Sequence, residues 1–204
     1  MAGDAAERDD PAPGAGLPPA LAVQLQRRSL GPRHLLEPGP DDAALALMAR
    51  AALRAPDHAE LVPYRFVVVR GAARDRLAQL FETAARRAGK DDAGAQLDAQ
   101  RALRAPVTVA LLARIDMGHP IVPAHEQWVA VGAALGGFMQ AAHALGYGGK
   151  MLSGAKVRDP AVQAAFCRPG ETLVGWLALG SPAGAVPQRG HEKAAPGDVI
   201  GDWG

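Results

Sequence analysis

From Trp128 to Gly149 the chain carries no Asp, Glu, Lys or Arg. A stretch of that length must be covered by protein or by lipid, because it offers no charged face to water. Lipid is the poorer match. Ala and Gly dominate the run, Gln140 and His143 lie inside it, and Gly146, Gly148 and Gly149 break its end, whereas spanning helices rely on larger apolar residues. The run therefore predicts a buried central helix with the rest of the chain arranged around it. Gly132 and Gly136 stand four apart and lay a strip of small residues along one face. Such a strip lets a second helix approach closely, and either an interface between two copies or ordinary core packing accounts for it.

The flanking sequence supplies the elements that would cover this helix. Pro19 to Arg28 reads as a short helix with Leu21, Leu25 and Val23 inward, and Asp41 or Asp42 caps a second, whose Leu45, Met48, Ala49, Ala52 and Leu53 recur at helical spacing until Arg54-Ala55-Pro56 stops it. Tyr64 to Val69 is β-branched and aromatic at strand length, ended by Gly71. Arg74 to Ala88, closed by Gly89, and Gln96 to Leu103 read as helices. Val107 to Ala113 is an almost unbroken apolar run, as expected of a strand covered on both faces. A loop with Pro120 and Pro123 precedes the charge-free run, Asp159 and Pro160 open a short helix to Phe166, and Thr172 to Leu179 forms a third strand ended by Gly180-Ser181-Pro182. Strands separated by helices predict an α+β or α/β layer protein with a modest sheet under helices.

A length of 204 residues, 49% of them hydrophobic, is one domain's worth of sequence with a real core. Residues 19–182 hold the periodic pattern. The acidic, Pro- and Gly-rich residues 1–18 read as a disordered leader, and 183–204 as a tail too poor in periodic apolar residues to build its own core. With 22 basic and 21 acidic residues the net charge is +1, which argues against nucleic acid and against a polybasic membrane anchor. The single cysteine, Cys167, fits a reducing cytoplasm and reads as a small buried hydrophobe.

The common catalytic patterns fail. Gly149-Lys150 is followed by Met151 and is no phosphate loop, and Gly132, Gly136 and Gly137 lie inside a helix rather than after a strand. His119, His125 and Glu126 lack the spacing of a helical metal site, and Ser29, Ser153 and Cys167 lack the context of an activated nucleophile. Three polar breaks remain: Arg27-Arg28-Ser29 with two forked guanidiniums and a hydroxyl, Arg54-Ala55-Pro56-Asp57-His58, and Gly148 to Gly154, whose glycines admit a ligand close to the backbone. Taken singly, each is equally an ordinary helix end or turn.

Taken together they are ordered. Gln26-Arg27-Arg28-Ser29, then Arg54-Ala55-Pro56-Asp57-His58 leading into Pro63-Tyr64-Arg65-Phe66, then Glu126 before the Ala/Gly helix, then Gly146-Tyr147-Gly148-Gly149, resemble the nitroreductase family, in particular its small YdjA-like subgroup, over about residues 20–182. The resemblance implies an α+β fold with a central, mostly antiparallel sheet covered by helices, an intertwined homodimer, and FMN at the subunit interface. It implies that Arg27, Arg28 and Ser29 hold the phosphate and ribityl chain, that Arg54 and His58 lie near the ribityl side or ring edge, and that Met151, Leu152 and Ser153 reach the flavin held mainly by the other subunit. NADH or NADPH would deliver a hydride to the flavin and a small-molecule acceptor would take it from the same cleft, a ping-pong scheme that needs no protein acid or base, with Arg28 or Arg54 tuning the reduced cofactor. Many relatives carry an aromatic and an arginine where Met151 and Leu152 stand, so this chain offers less stacking for flat acceptors. The basic phosphate ligand near the end of larger members has Arg189 as its one candidate match. The alternatives are a flavin-binding or flavin-fragmenting protein of the same fold, and a non-enzymatic dimeric adaptor.

Overall fold

A computed structural model describes residues 16–184 and 194–204. The expected leader and Arg189 lie, respectively, almost wholly and wholly outside the described residues. The described elements run α1 (Pro19–Gln26), β1 (Leu35–Leu36), α2 (Asp42–Ala52), β2 (Tyr64–Val69), α3 (Ala73–Arg87), α4 (Asp92–Ala102), β3 (Val107–Ala113), α5 (Ala124–Ala144), β4 (Gly148–Leu152), α6 (Pro160–Phe166) and β5 (Thr172–Pro182). Aspartates start several of the helices: Asp41, Asp91 and Asp159 each accept a backbone N–H of the first turn, satisfying donors that the helix itself leaves without partners. Asp91 therefore begins α4 one turn ahead of the expected Gln96.

The five strands form one antiparallel sheet in the order β1-β5-β3-β2, with β4 also paired to β5. Every residue of β3 is buried, as its unbroken hydrophobicity predicts. Val107, Val109 and Leu111 face α2 and α5 together with Leu177 and Leu179. Ala110 and Leu112 point the other way, with Leu173 and Trp176, toward the layer built by α3, α4 and α6. Phe66 stacks on Phe138 of α5 at 4.5 Å on one face, and Phe81 and Phe166 meet the Trp176 ring edge-on at 5.3 and 5.0 Å on the other.

Two strand assignments differ from the sequence reading. Gly148 to Leu152 is a strand rather than a glycine loop, because its glycines are demanded by close packing. A Cβ on Gly148 would come within 2.7 Å of Leu30, and one on Gly149 within 2.9 Å of the Ala178 carbonyl oxygen. β5 also runs past Gly180 to Pro182, where the short β1 pairs with Ser181 and Pro182.

α5 starts at Ala124, one turn before the charge-free run, with Pro123 as its N-cap. It is buried on one side only. Gln127, Ala130, Val131, Ala134, Phe138, Met139 and Ala142 face inward, while Trp128 and Val129 are 43% and 63% exposed and Gly132 and Gly136 look outward. The small-residue strip is thus not packed in this chain's own core. α1 shows the same discrepancy: Leu21 and Leu25, expected to point inward, are 41% and 57% exposed, because α1 sits at the rim and buries none of its residues. In the tail, Val199, Ile200 and Trp203 are exposed as well.

Two ion clusters pin the layers. Asp98, 3% exposed, accepts from Lys90 and Lys156 at 2.7 Å each and pairs with Arg101 at 3.2 Å. Burial pushes its carboxyl up, but the hydrogen bonds from Lys156 and Lys90 prevail and hold it at about 2. Arg65 of β2 grips both carboxylate oxygens of Glu171 and the Phe166 carbonyl, each at 2.6 Å, tying the sheet to the turn before β5.

The tightest helix crossing is at Gly137, where an added Cβ would lie 2.8 Å from the Ala51 carbonyl oxygen of α2. Replacing Gly137 by Ala gains up to about 1 kcal/mol of helix propensity, but the clash is with backbone and costs about 1–3 kcal/mol. Urea unfolding of Gly137→Ala is therefore expected to show a net loss of stability.

Candidate functional site

The first polar break follows α1, and the Leu30 N–H donates to the Gly149 carbonyl at 2.9 Å. That single bond lays residues 27–30 against the start of β4. Arg27, Arg28, Leu30, Met139, His143 and Tyr147 surround a cavity of about 180 Å³ floored by Gly148 and Gly149. The field there is positive. Burial, then Arg27, then Arg28 lower the pKa of His143 from its ordinary value, because desolvation and both guanidiniums disfavour the protonated ring. Two guanidiniums over a glycine-lined strand suit a phosphate or similar dianion.

The third break continues from this place along β4. Met151 and Leu152 alternate across the strand: Met151 packs toward α2 and α5, its tip over Gly175, and Leu152 packs on the opposite face. Leu152 and Ser153 border a second cavity, of about 380 Å³, with Phe81, Lys156 and Trp176. Met151 is half-buried against the sheet.

The second break lies elsewhere. α2 ends beside Gly137, with the Tyr64 hydroxyl donating to the Ala52 carbonyl at 3.0 Å. Arg54 follows, exposed, and His58 then meets the first turn of α5, where its Nδ1 is 2.8 Å from Glu126 Oε2. The turn is unusual: Ala59, Glu60 and Val62 have φ of 62°, 52° and 46°, and the Val62 N–H donates to Asp57 Oδ2 at 2.7 Å. Glu126 and His143 are seventeen residues apart on one helix, which is about 25 Å at 1.5 Å per residue. The structure thus brings Arg27 and Arg28 together with the start of the β4 segment, leaves Ser29 exposed beside them rather than on the cavity wall, and holds His58 near the opposite end of α5.

Glu126 is the residue that sequence reading undervalued. In the sequence it stands in a weak His119, His125 and Glu126 cluster and in the motif order before the Ala/Gly helix, with no sign that it meets His58. Among the described residues no group of three or more His, Cys, Asp or Glu side chains is placed to hold a metal. His119 instead accepts the Val122 N–H on Nδ1 at 3.0 Å. Cys167 is half-buried, and burial, then Glu171, push its thiol pKa up, the opposite of an activated nucleophile. No helix among the described residues is long and apolar enough to cross a membrane.

Helices on both faces of a five-stranded antiparallel sheet, with an arginine-lined cavity at one end of a long helix, define the nitroreductase-like class of α+β proteins. The nitroreductase-like family protein from Bacillus cereus superposes with a TM-score of 0.76 at 20% identity, covering 90% of this chain and 95% of that one. A nitroreductase homologue from Desulfovibrio desulfuricans, solved in complex with FMN, gives 0.67 at 23% identity, covering 92% and 98%. In sequence, the nitroreductase family model matches residues 25–181. The "Putative NAD(P)H nitroreductase YdjA" of Escherichia coli strain K12 is 37% identical over 164 residues, 80% of this chain and 88% of that protein. A "Putative NAD(P)H nitroreductase" of Haemophilus influenzae is 31% identical over 163 residues, 79% and 88% of the respective chains. The chain belongs to the nitroreductase family.

The electrostatics of the cavity can be read directly. In Arg27→Ala the His143 imidazole loses one of the two cations that oppose its protonation, so its pKa is expected to rise relative to the native protein. A histidine ring-proton NMR titration measures it.

Proposed function

We propose that the protein is an FMN-dependent oxidoreductase that takes a hydride from NADH or NADPH and passes it to a nitro, quinone or similar small-molecule acceptor. Family membership supports the class of reaction. The observation that carries the cofactor assignment is the positive cavity of Arg27 and Arg28, set against Gly148 and Gly149 where a side chain would collide with its neighbours. These residues fit FMN: two guanidiniums and the Ser29 hydroxyl take the phosphate and ribityl chain, and the backbone of Met151, Leu152 and Ser153 takes a polar edge.

Arg54 and His58 complete the site from a second copy of the chain. α5 leaves an apolar face with Trp128, Val129, Gly132 and Gly136 uncovered, a surface that asks for a partner. Two α5 helices packed antiparallel along that face set the Glu126 end of one beside the His143 end of the other. Arg54 and His58 of one copy then approach Arg27, Arg28 and Ser29 of its mate. In this homodimer the β4 segment acts with the arginines of its own chain, and the second polar break is the one contributed across the interface.

Bound FMN supplies hydride chemistry; the chain binds, orients and shields it. Donor and acceptor occupy one cleft in turn, which makes the scheme ping-pong. Arg28 or Arg54 offsets the negative charge that builds up on reduction. Met151, folded over Gly175, leaves the cleft without an added ring, so small or aliphatic acceptors belong in the panel beside nitroaromatics. The lone cysteine supports a cytoplasmic setting.

Purified protein is expected to be yellow or to take up FMN, and to oxidise NADH or NADPH faster when a nitroaromatic or quinone is added. A colourless protein that takes up no FMN overturns the assignment; flavin without turnover leaves a binding protein of the same fold. Arg27→Ala should weaken FMN binding by about 1.5–3 kcal/mol, the scale of a charge-assisted hydrogen bond, which is roughly ten- to hundredfold in a fluorescence titration.

A further inference from the structure

The turn that carries His58 holds a concentration of backbone strain. Ala59, Glu60 and Val62 are the positive-φ residues other than glycine among those described, and they fall within four positions. L residues rarely adopt that region, and a β-branched one such as Val62 is a marked outlier there. Besides the backbone bond from the Glu60 N–H to the Asp57 carbonyl, two side-chain contacts hold the turn: the Asp57 carboxylate on the Val62 N–H at 2.7 Å, and the Glu126 carboxylate on His58 Nδ1 at 2.8 Å. The second joins elements 68 residues apart in sequence.

Core packing does not account for this arrangement. The His58 and Glu126 side chains are 54% and 41% exposed, and an ion pair of that kind adds little to stability. A costly turn that orders an exposed imidazole is strain kept for a purpose. The chemistry of the pair narrows that purpose. An ionised carboxylate only accepts, so His58 Nδ1 must carry the proton, and in the neutral ring Nε2 is left with its lone pair.

We propose that Glu126, with Asp57 bracing the turn, is a positioning residue that locks His58 in the Nδ1–H tautomer, so that Nε2 accepts a hydrogen bond from an N–H or O–H of FMN. This rests on the flavin site proposed above. Without the carboxylate the ring is free to turn and to exchange tautomers, and the Nε2–H form would offer the flavin donor a second N–H instead of a lone pair.

The test is a double-mutant cycle read by FMN affinity rather than turnover. Flavin-stripped full-length protein is titrated with FMN at pH 8, following flavin fluorescence, for the native chain, Glu126→Ala, His58→Ala and the double variant. Glu126→Ala is expected to weaken FMN about three- to tenfold in the native background and not at all in His58→Ala, the signature of two residues acting through one contact. Glu126→Gln, whose amide oxygen still accepts from Nδ1–H, should keep affinity within about twofold. Glu126→Asp retains the charge but not the reach, and should behave like Ala; it also repeats the test should the Ala variant fold poorly. Histidine ¹⁵N NMR should show the Nδ1–H form in the native protein and a mixture in Glu126→Asp. Equal FMN affinity in native and Glu126→Ala protein, or an equal loss with and without His58, overturns the proposal while leaving the flavin reading intact. If the native protein takes up no FMN, the flavin reading falls and the proposal falls with it.

Discussion

The fold turns on the one-sided burial of α5. Its inward residues, from Val131 to Ala142, pack against β3, β5 and α2, and the crossing with α2 is so close that a Cβ at Gly137 would meet the Ala51 carbonyl. Burying a helix stripe this long against a sheet removes enough apolar surface to fix the layer order. The opposite layer of α3, α4 and α6 then has one surface left to cover, that of Ala110, Leu112, Leu173 and Trp176. Because α5 spends only one face on its own chain, the same helix that organises the core also leaves a small-residue face uncovered.

That geometry governs the site. The cavity by Arg27 and Arg28 and the His58 turn are placed by the two ends of α5, not by each other. The charge balance of the chain conceals this. A total of 22 basic and 21 acidic residues looks neutral, yet Arg27 and Arg28 act together on His143, while Asp98 and Glu171 hold their cations in structural clusters on the far side of the sheet and at its end.

Much of the fold was legible. The apolar run Val107 to Ala113 reads as a strand covered on both faces because parity is lost only when both faces are buried, and it is buried throughout. Tyr64 to Val69 and the aspartate-capped α2 and α6 follow from β-branched content and from cap chemistry. β4 was not legible, since two adjacent glycines read as a turn unless the packing of Leu30, Leu179 and the Ala178 carbonyl around them is known. α1 was misjudged for a related reason: its leucines are periodic, but periodicity does not say whether the partner surface belongs to the same chain. Of the site, Arg27, Arg28 and Ser29 and the β4 segment were nameable from motif order, and the Leu30 to Gly149 hydrogen bond joins them in space. Glu126 was nameable in the same order, but its contact with His58 was not, because that partner lies 68 positions away.

By itself the sequence determined the helices and most of the strands, that the Ala and Gly run must be covered, and the order of the polar breaks that resemble the family's motifs. Those properties are local: side-chain period, cap and turn chemistry, and the order of short motifs. The tertiary structure alone decided which face of α5 is covered, that Gly148 to Leu152 is a strand, that two arginines converge on a half-buried His143, and that a strained turn delivers His58 to Glu126. These depend on contacts between segments far apart in the chain, where a difference of a single Cβ, as at Gly137 or Gly149, determines whether two elements can meet.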